Sequence, residues 1–198
     1  MLKEGIQEII EAGKRLATYG LIHAHSGNIS SRFDKATYLI TASGVFKGDL
    51  SSSDVLIIDD KGFLTLNSIK GKPSSEVAVH MAIYKENLQI GAIIHAHPPY
   101  ATALACAGKE LDLSLLEESK CFTGLVQLLP RISAGSLELA QAVSKVTSNA
   151  NALLLRGHGV ISWGANMEQA LCRMETIEHI AKVMLMTELF VEANKRHV

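Results

Sequence analysis

Apolar residues recur along the chain at two spacings, one typical of helices and the other of short strands. The N-terminal segment carries them at helical spacing and is expected to end near Gly20: Leu2, Ile6, Ile9, Ile10, Leu16 and Ala17. Short apolar or β-branched runs between turn residues predict strands at 37–43, 55–59, 63–66, 90–97 and 152–155. The strand 63–66 is expected to form a hairpin with the strand before it.

Four further segments predict helices. One begins in Pro73-Ser74-Ser75-Glu76, a second follows Pro98-Pro99 through residues 100–107, a third is capped by Ser136, and a long one begins near Asn166. The last helix is expected to bury Leu171, Met174, Ile177, Ala181, Met184 and Leu185. Several short strands favour a mixed or mostly antiparallel sheet over a strict βαβ array. The sequence therefore predicts one α/β domain spanning residues 1–198.

Composition narrows the class of protein further. The 198 residues are 47% apolar and 20% charged, with a formal net charge of −1 and no basic tract. Such a chain is not expected to bind nucleic acid or a membrane surface. Three cysteines without metal-type spacing, Cys106, Cys121 and Cys172, are expected to be buried and reduced. Together these features predict a cytoplasmic protein.

A His-Ala-His triplet occurs twice, at residues 23–25 and 95–97. In a strand, residues two apart project from the same face, so a triplet can offer two imidazoles to one metal ion. His95 and His97 end a predicted buried strand, and His158 lies between two glycines after another. Three histidines with an open fourth position form the ligand set of a catalytic zinc site. The alternative is that hydrogen bonds satisfy all three, but the spacing favours a metal.

Glu76 opens a predicted helix, where a carboxylate can complement the helix dipole or close a capping box. Beside a metal it could instead be a ligand or a general base. His80 follows one turn later, and Glu-x-x-x-His is a ligand pair in some metal sites. For His80 we favour a structural role beneath the helix.

Three short segments are suited to binding a small anion: Ser26-Gly27-Asn28, Ser43-Gly44 and Ser74-Ser75. Hydroxyls, an amide and glycine backbone can surround a phosphate with neutral donors, and a helix N-terminus adds its dipole. The chain has neither a P-loop nor a Gly-x-Gly-x-x-Gly segment after a strand, so nucleotide binding is not indicated.

Five motifs in order, SGNIS, TASG, KPSSE, HAHP and GHGV, resemble the class II aldolase family typified by L-fuculose-1-phosphate aldolase. The family includes 4-epimerases, a methylthioribulose-phosphate dehydratase, sugar-acid decarboxylases and the non-catalytic head of adducin. The resemblance extends from Glu8 to about Leu189 and implies a three-layer domain with helices flanking the sheet.

The resemblance also implies roles for individual residues. His95, His97 and His158 match the family's zinc ligands, and Glu76 matches a carboxylate that ligates zinc at rest and then shuttles a proton. The positions that match the cradle for the substrate's phosphate are Asn28, Ser43, Gly44, Ser74 and Ser75. Cleavage of a small sugar phosphate through a metal-stabilised enediolate is expected, in a homotetramer with active sites at subunit interfaces. Histidine and carboxylate ligands also suit manganese, cobalt or iron.

The chain departs from the family pattern at two places. His25 stands before Gly27-Asn28 where a threonine is usual, and we interpret it as an anion contact, with His23 structural. L-fuculose-1-phosphate aldolase also uses a tyrosine from a neighbouring subunit to protonate the leaving aldehyde. The corresponding segment of this chain, residues 113–122, has no tyrosine, and Glu117 and Glu118 stand there instead. These acids keep decarboxylation, 4-epimerisation or dehydration of a related sugar phosphate open as alternatives. A non-catalytic module like the adducin head is a third reading, disfavoured because every metal ligand is present.

Overall fold

The computed structural model describes residues 2–65 and 71–195. Its helices are α1 (Leu2–Thr18), α2 (Val77–Glu86), α3 (Pro99–Cys106), α4 (Ser119–Thr123), α5 (Leu137–Thr147) and α6 (Met167–Lys195). Its strands are β1 (Asn28–Arg32), β2 (Thr37–Thr41), β3 (Val55–Asp59), β4 (Ala92–Ala96), β5 (Val126–Leu129), β6 (Ala152–Leu155) and β7 (Gly159–Gly164). The five predicted helices are confirmed, including the cap on α5, where Ser136 Oγ accepts a hydrogen bond from the Leu139 amide.

The strands form one seven-stranded sheet in the order β3-β2-β1-β4-β7-β6-β5. Every neighbouring pair is antiparallel except β5–β6, which is parallel. Helices cover both faces: α1, α3 and α6 contribute to one apolar core, and α2 and α5 to the other. The predicted fold class, a single α/β domain with a mixed sheet between helical layers, is confirmed.

Alternation along β4 shows how the sheet serves both cores. Ala92, Ile94 and Ala96 face the core formed with α1, α3 and α6, whereas Ile93 faces α2 and α5. Because successive residues of a strand point to opposite faces, His95 projects on the same side as Ile93. That is the side on which α2 begins, so the sheet turns this imidazole towards Glu76.

Three strands were absent from the prediction, and the first of them lacks the usual apolar signal. Four of the five residues of β1, in NISSR, are polar, yet the first four are buried because β1 lies between β2 and β4. The edge strand β5 is short and half-buried, and β7 follows the β6–β7 turn directly. The predicted strand 63–66 is reduced to a bridge between Leu64 and Ile58, and Leu66 lies outside the described residues.

Two burial predictions were wrong. Cys106 and Cys121 are exposed and Cys172 is half-buried, because other residues form the buried side of each helix, among them Ala105, Thr123 and Leu171; all three thiols are free. Leu185, expected to point inward, is 39% exposed, because α6 there extends past the sheet. No helix in the described ranges combines the length and apolarity needed to cross a bilayer.

Candidate metal centre and cleft

Strand register brings the second His-Ala-His triplet beside the other parts of the site. In the sheet His95 pairs with Asn28 of β1 on one side and with Ile161 of β7 on the other. His158 ends the tight turn between β6 and β7, and its amide donates to the Leu155 carbonyl. A Cβ on Gly159 would lie 2.5 Å from His97 Cδ2. Only glycine there allows the β7 backbone to approach the imidazoles this closely.

The three imidazoles converge on one point through their Nε2 atoms. His95 Nε2 lies 3.1 Å from His97 Nε2 and 3.2 Å from His158 Nε2, and all ligand atoms of the trio lie within 4.8 Å of one another. Nitrogens about 2.0–2.1 Å from a tetrahedral zinc are about 3.3 Å apart. The two separations measured from His95 Nε2 are therefore close to those of nitrogen ligands on one small divalent ion.

The tautomer of His95 suits a metal ligand. Its Nδ1 lies 2.9 Å from the Val160 carbonyl oxygen, which can only accept, so Nδ1 carries the proton. Burial lowers the pKa of His95 to about 3, so the ring is neutral at physiological pH. Its Nε2 consequently presents a lone pair to the other two rings, as metal ligation requires.

Glu76 completes the set of donors from the start of α2. Its Oε2 lies 3.0 Å from His95 Nε2, and its Oε1 lies 3.5 Å from His158 Nε2. Asn28 Nδ2 donates to Oε2 at 3.0 Å, whereas Oε1 is buried and accepts no hydrogen bond from the described residues. Burial opposes ionisation, but the polar surroundings, among them the Asn28 amide that donates to Oε2, outweigh it and lower the pKa of Glu76. The side chain is a buried carboxylate with one oxygen held and one available.

A cleft of about 200 Å³ opens beside this cluster. It is lined by His25 and Gly27 and by all of the predicted phosphate-cradle residues, which are Asn28, Ser43, Gly44, Ser74 and Ser75. Gly27 has φ +77°, and a Cβ there would lie 2.6 Å from the His95 carbonyl oxygen. A volume below the roughly 300–1,000 Å³ usual for drug-sized ligands indicates a small ligand, and the hydroxyls and amide indicate a polar one.

Lys47 lines the same cleft and was not singled out from the sequence. Its Nζ donates to the carbonyl oxygens of His25 at 2.9 Å and Val45 at 2.8 Å. The residue is only 2% exposed, and burial lowers the pKa of its ammonium group. Lys47 thus ties the 23–27 turn to the Ser43-Gly44 turn and brings a positive charge to a cradle of neutral donors. A lysine in the short segment VFKGD carries no sequence signal for burial.

The remaining predicted residues have different positions. The first triplet, residues 23–25, is an exposed turn with Ala24 at φ +46°, and His23 contributes to it through its backbone, which bonds Ser26. Glu117 and Glu118 are exposed just before α4 and do not line the cleft of their own chain.

His80, for which a structural role was favoured, is buried and contacts Asn28 and Ser30, not the imidazole trio.

The structure is thus an α/β protein in which three imidazoles and a carboxylate meet at the end of a mixed sheet and could hold a metal ion. Residues 7–185 match the family described as Class II Aldolase and Adducin N-terminal domain, and the chain belongs to this family.

Similar proteins fall into two activity groups. The chain is 32% identical to an L-fuculose phosphate aldolase of Methanococcus vannielii, over 90% of this chain and 94% of that protein. It is 36% identical to a methylthioribulose-1-phosphate dehydratase of Pseudomonas savastanoi, over 87% and 90%. The crystal structure of an L-fuculose-1-phosphate aldolase from Thermus thermophilus superposes with a TM-score of 0.82 at 31% identity, covering 94% of this chain and 95% of that one.

Proposed function

We propose that this protein is a metal-dependent lyase that cleaves or forms a carbon–carbon bond in a small sugar phosphate. The substrate would resemble L-fuculose 1-phosphate, giving dihydroxyacetone phosphate and an aldehyde. The observation that carries the proposal is the convergence of His95, His97, His158 and Glu76 beside a cleft of neutral anion donors. The two relatives named above are both named for sugar-phosphate substrates, which supports this substrate class.

Zinc, or another divalent transition metal held by the three imidazoles, would supply Lewis-acid polarisation of the substrate's carbonyl. The protein's own contribution to the chemistry is proton transfer at the carbon next to that carbonyl. Glu76 is suited to it because Asn28 holds Oε2, while no residue in the described part of the chain donates a hydrogen bond to Oε1 that would compete with a substrate proton. In cleavage, Oε1 would return a proton to this carbon; in synthesis, it would remove one.

Recognition of the phosphate would fall to the cradle. Hydroxyls of Ser43, Ser74 and Ser75 and the amide of Asn28 surround the cleft, and Ser74 and Ser75 directly precede α2, whose N-terminal dipole favours an anion. Gly44, at φ +76°, leaves open space that a side chain would fill. His25 would add a contact at the mouth of the cleft through its exposed imidazole.

A second candidate reaction is dehydration of a ketose 1-phosphate. The 36% identity to a methylthioribulose-1-phosphate dehydratase favours it. In that reaction Glu76 would remove the proton beside the carbonyl, and a hydroxyl group on the next carbon would leave as water. Both reactions need the same metal, base and cradle, so the substrate decides between them. The intact donor set argues against a non-catalytic role.

The test is a substrate panel offered to zinc-reconstituted protein. L-Fuculose 1-phosphate and related ketose 1-phosphates should release dihydroxyacetone phosphate, detected by a coupled reductase. Carbon-13 NMR of the same mixtures separates cleavage from dehydration, since a dehydrated product keeps its carbon skeleton. The Glu76→Gln variant should bind phosphate but turn over nothing. If no sugar phosphate in the panel changes, the proposal is wrong.

We further propose a homotetramer located in the cytoplasm. Leu189, Phe190 and Val191 near the end of α6 are 49–65% exposed, and such an apolar stretch is suited to a subunit contact. Exposed free thiols at Cys106 and Cys121 fit a reducing compartment. Glu117 and Glu118, remote from their own cleft, would then be available to a neighbouring subunit. Light scattering that gives a monomer would exclude the tetramer.

A further inference from the structure

A continuous chain of buried polar side chains runs from Glu76 into the protein interior. Asn28 Nδ2 lies 3.0 Å from Glu76 Oε2, and Asn28 Oδ1 lies 2.5 Å from His80 Nε2. His80 Nδ1 lies 2.6 Å from Ser30 Oγ, which in turn lies 2.9 Å from the Tyr84 hydroxyl. All five side chains are at least nine-tenths buried, so water does not substitute for these partners.

The ionised carboxylate of Glu76 determines which group donates and which accepts in each hydrogen bond of this network. An ionised carboxylate only accepts hydrogen bonds, so Asn28 must turn its NH2 group to Glu76 and its carbonyl oxygen to His80. That oxygen is also only an acceptor. His80 Nε2 must therefore carry a proton and donate it to Asn28.

The remaining protons follow in the same way. A neutral imidazole protonated at Nε2 accepts at Nδ1, so the Ser30 hydroxyl donates to His80 and accepts from Tyr84. Burial lowers the pKa of His80 to about 4, which keeps the ring neutral at physiological pH. If the ring were doubly protonated, Ser30 Oγ would have to accept from Nδ1, and the hydroxyl proton of either Ser30 or Tyr84 would then have no acceptor within this network. Only the neutral ring protonated at Nε2 gives every proton in this network one acceptor.

We infer that His80 is a positioning residue, which fixes the orientation of the Asn28 amide and through it the carboxylate of Glu76. Without the donor at His80 Nε2, the Asn28 amide is free to rotate by half a turn. Its carbonyl oxygen would then face Glu76 Oε2, and two acceptors would repel each other at hydrogen-bond distance. With the donor in place, Oε2 is held and Oε1 alone is free to move.

The catalytic part of this inference rests on the proposed function, whereas the tautomer and the metal affinity do not. If His80 only filled space beneath α2, an apolar side chain of similar size would serve equally well. Two substitutions separate these cases. His80→Leu fills the volume but makes no hydrogen bond, and His80→Gln can still donate to Asn28 and accept from Ser30.

The experiment has three readouts on the full chain. Nitrogen-15 NMR of histidine-labelled protein should show His80 neutral and protonated at Nε2 at pH 7. Zinc affinity, and kcat on whichever sugar phosphate is turned over, should each fall about 10–100-fold in His80→Leu, the usual range for a side chain that orients a metal ligand. KM should change less than kcat, and His80→Gln should restore at least about tenfold of each loss.

Thr147→Val is the matched control, because Thr147 is buried and donates one hydrogen bond, to Val143, far from the cleft. It should lose stability without changing zinc affinity. The inference is overturned if His80 is protonated at Nδ1, or if His80→Leu and His80→Gln bind zinc equally well. If His80→Leu fails to fold, the tautomer of His80 in the parent protein still decides whether the inference holds. If no sugar phosphate reacts, the proposed function is wrong, but the tautomer and the zinc affinities still test the positioning role of His80.

Discussion

Replacing Lys47 by methionine tests whether a buried lysine holds the two turns of the cleft together. Methionine keeps most of the side-chain length but removes both hydrogen bonds, to the carbonyl oxygens of His25 and Val45. Each bond from a charged donor contributes about 1.5–3 kcal/mol. Part of the stability lost with these bonds is offset in the variant, because the ammonium group no longer has to be desolvated and because water reaches the His25 side of the turn. We expect a net loss of about 2 kcal/mol in the free energy of unfolding.

The pH dependence of this loss is a sharper test than its size. Burial lowers the pKa of Lys47 below the ordinary value of 10.5, so between the two values the unfolded chain binds more protons than the folded one. Stability contributed by this group therefore rises with pH in that window. A neutral amine still has two N–H groups for the two carbonyl oxygens. The stability difference between the parent and Lys47→Met should therefore widen as the pH rises from the lowered pKa of Lys47 to 10.5.

The assay is urea unfolding at fixed protein concentration, with a chelator present so that metal binding does not contribute. Lys61→Met is the control, because Lys61 is exposed and its side chain should matter little at any pH. A gap that stays constant or narrows as the pH rises would refute the assignment of Lys47 as a buried cation. A gap no larger than that of Lys61→Met would refute its role in holding the turns.

Three further outcomes are expected. Zinc at about 100 times its dissociation constant should stabilise the parent by about 2.7 kcal/mol in urea unfolding; His95→Gln should abolish the effect, and the exposed control His179→Gln should keep it. Glu178 accepts hydrogen bonds from the first two amides of α3 after Pro99, so Glu178→Gln, with one acceptor left, should cost about 1 kcal/mol and speed hydrogen exchange at one of those amides. Gly159→Ala should weaken zinc binding in calorimetry at least about tenfold, because its Cβ would displace His97.

How much the sequence could predict depended on how far apart the interacting residues lie. Of the helices in the described residues, all but α4 were predictable, as was the buried strand before His97, because their signals are local: periodic apolar residues, Pro98-Pro99 and the Ser136 cap. Strand β1 was not, since its buried serines look like a loop until β2 and β4 flank it. The residues that meet in the cleft were grouped partly by spacing and partly by resemblance to the family.

The hydrogen-bond partners within the site lay beyond sequence reasoning. The separation of Glu76 and His80 left open a ligand pair or a structural histidine, and only the fold shows that His80 turns away from the imidazoles towards Ser30. Burial of Lys47 likewise depends on the meeting of two turns that are about twenty residues apart in the chain. Such contacts depend on register and loop geometry, which local propensity does not determine.

Register also explains why the two His-Ala-His triplets lie side by side although only one contributes to the imidazole cluster. Asn28 opposes His95 across β1 and β4, so the turn at 23–27 is fixed against the end of the strand that carries the imidazoles. The 2.6 Å approach between a Cβ at Gly27 and the His95 carbonyl oxygen shows how tight this contact is. A slip of one residue in β1 would turn Asn28 to the other face of the sheet, away from Glu76 and His80. The imidazole cluster and the proposed anion cradle are therefore positioned by the same strand pair, and a change in β1 should affect both together.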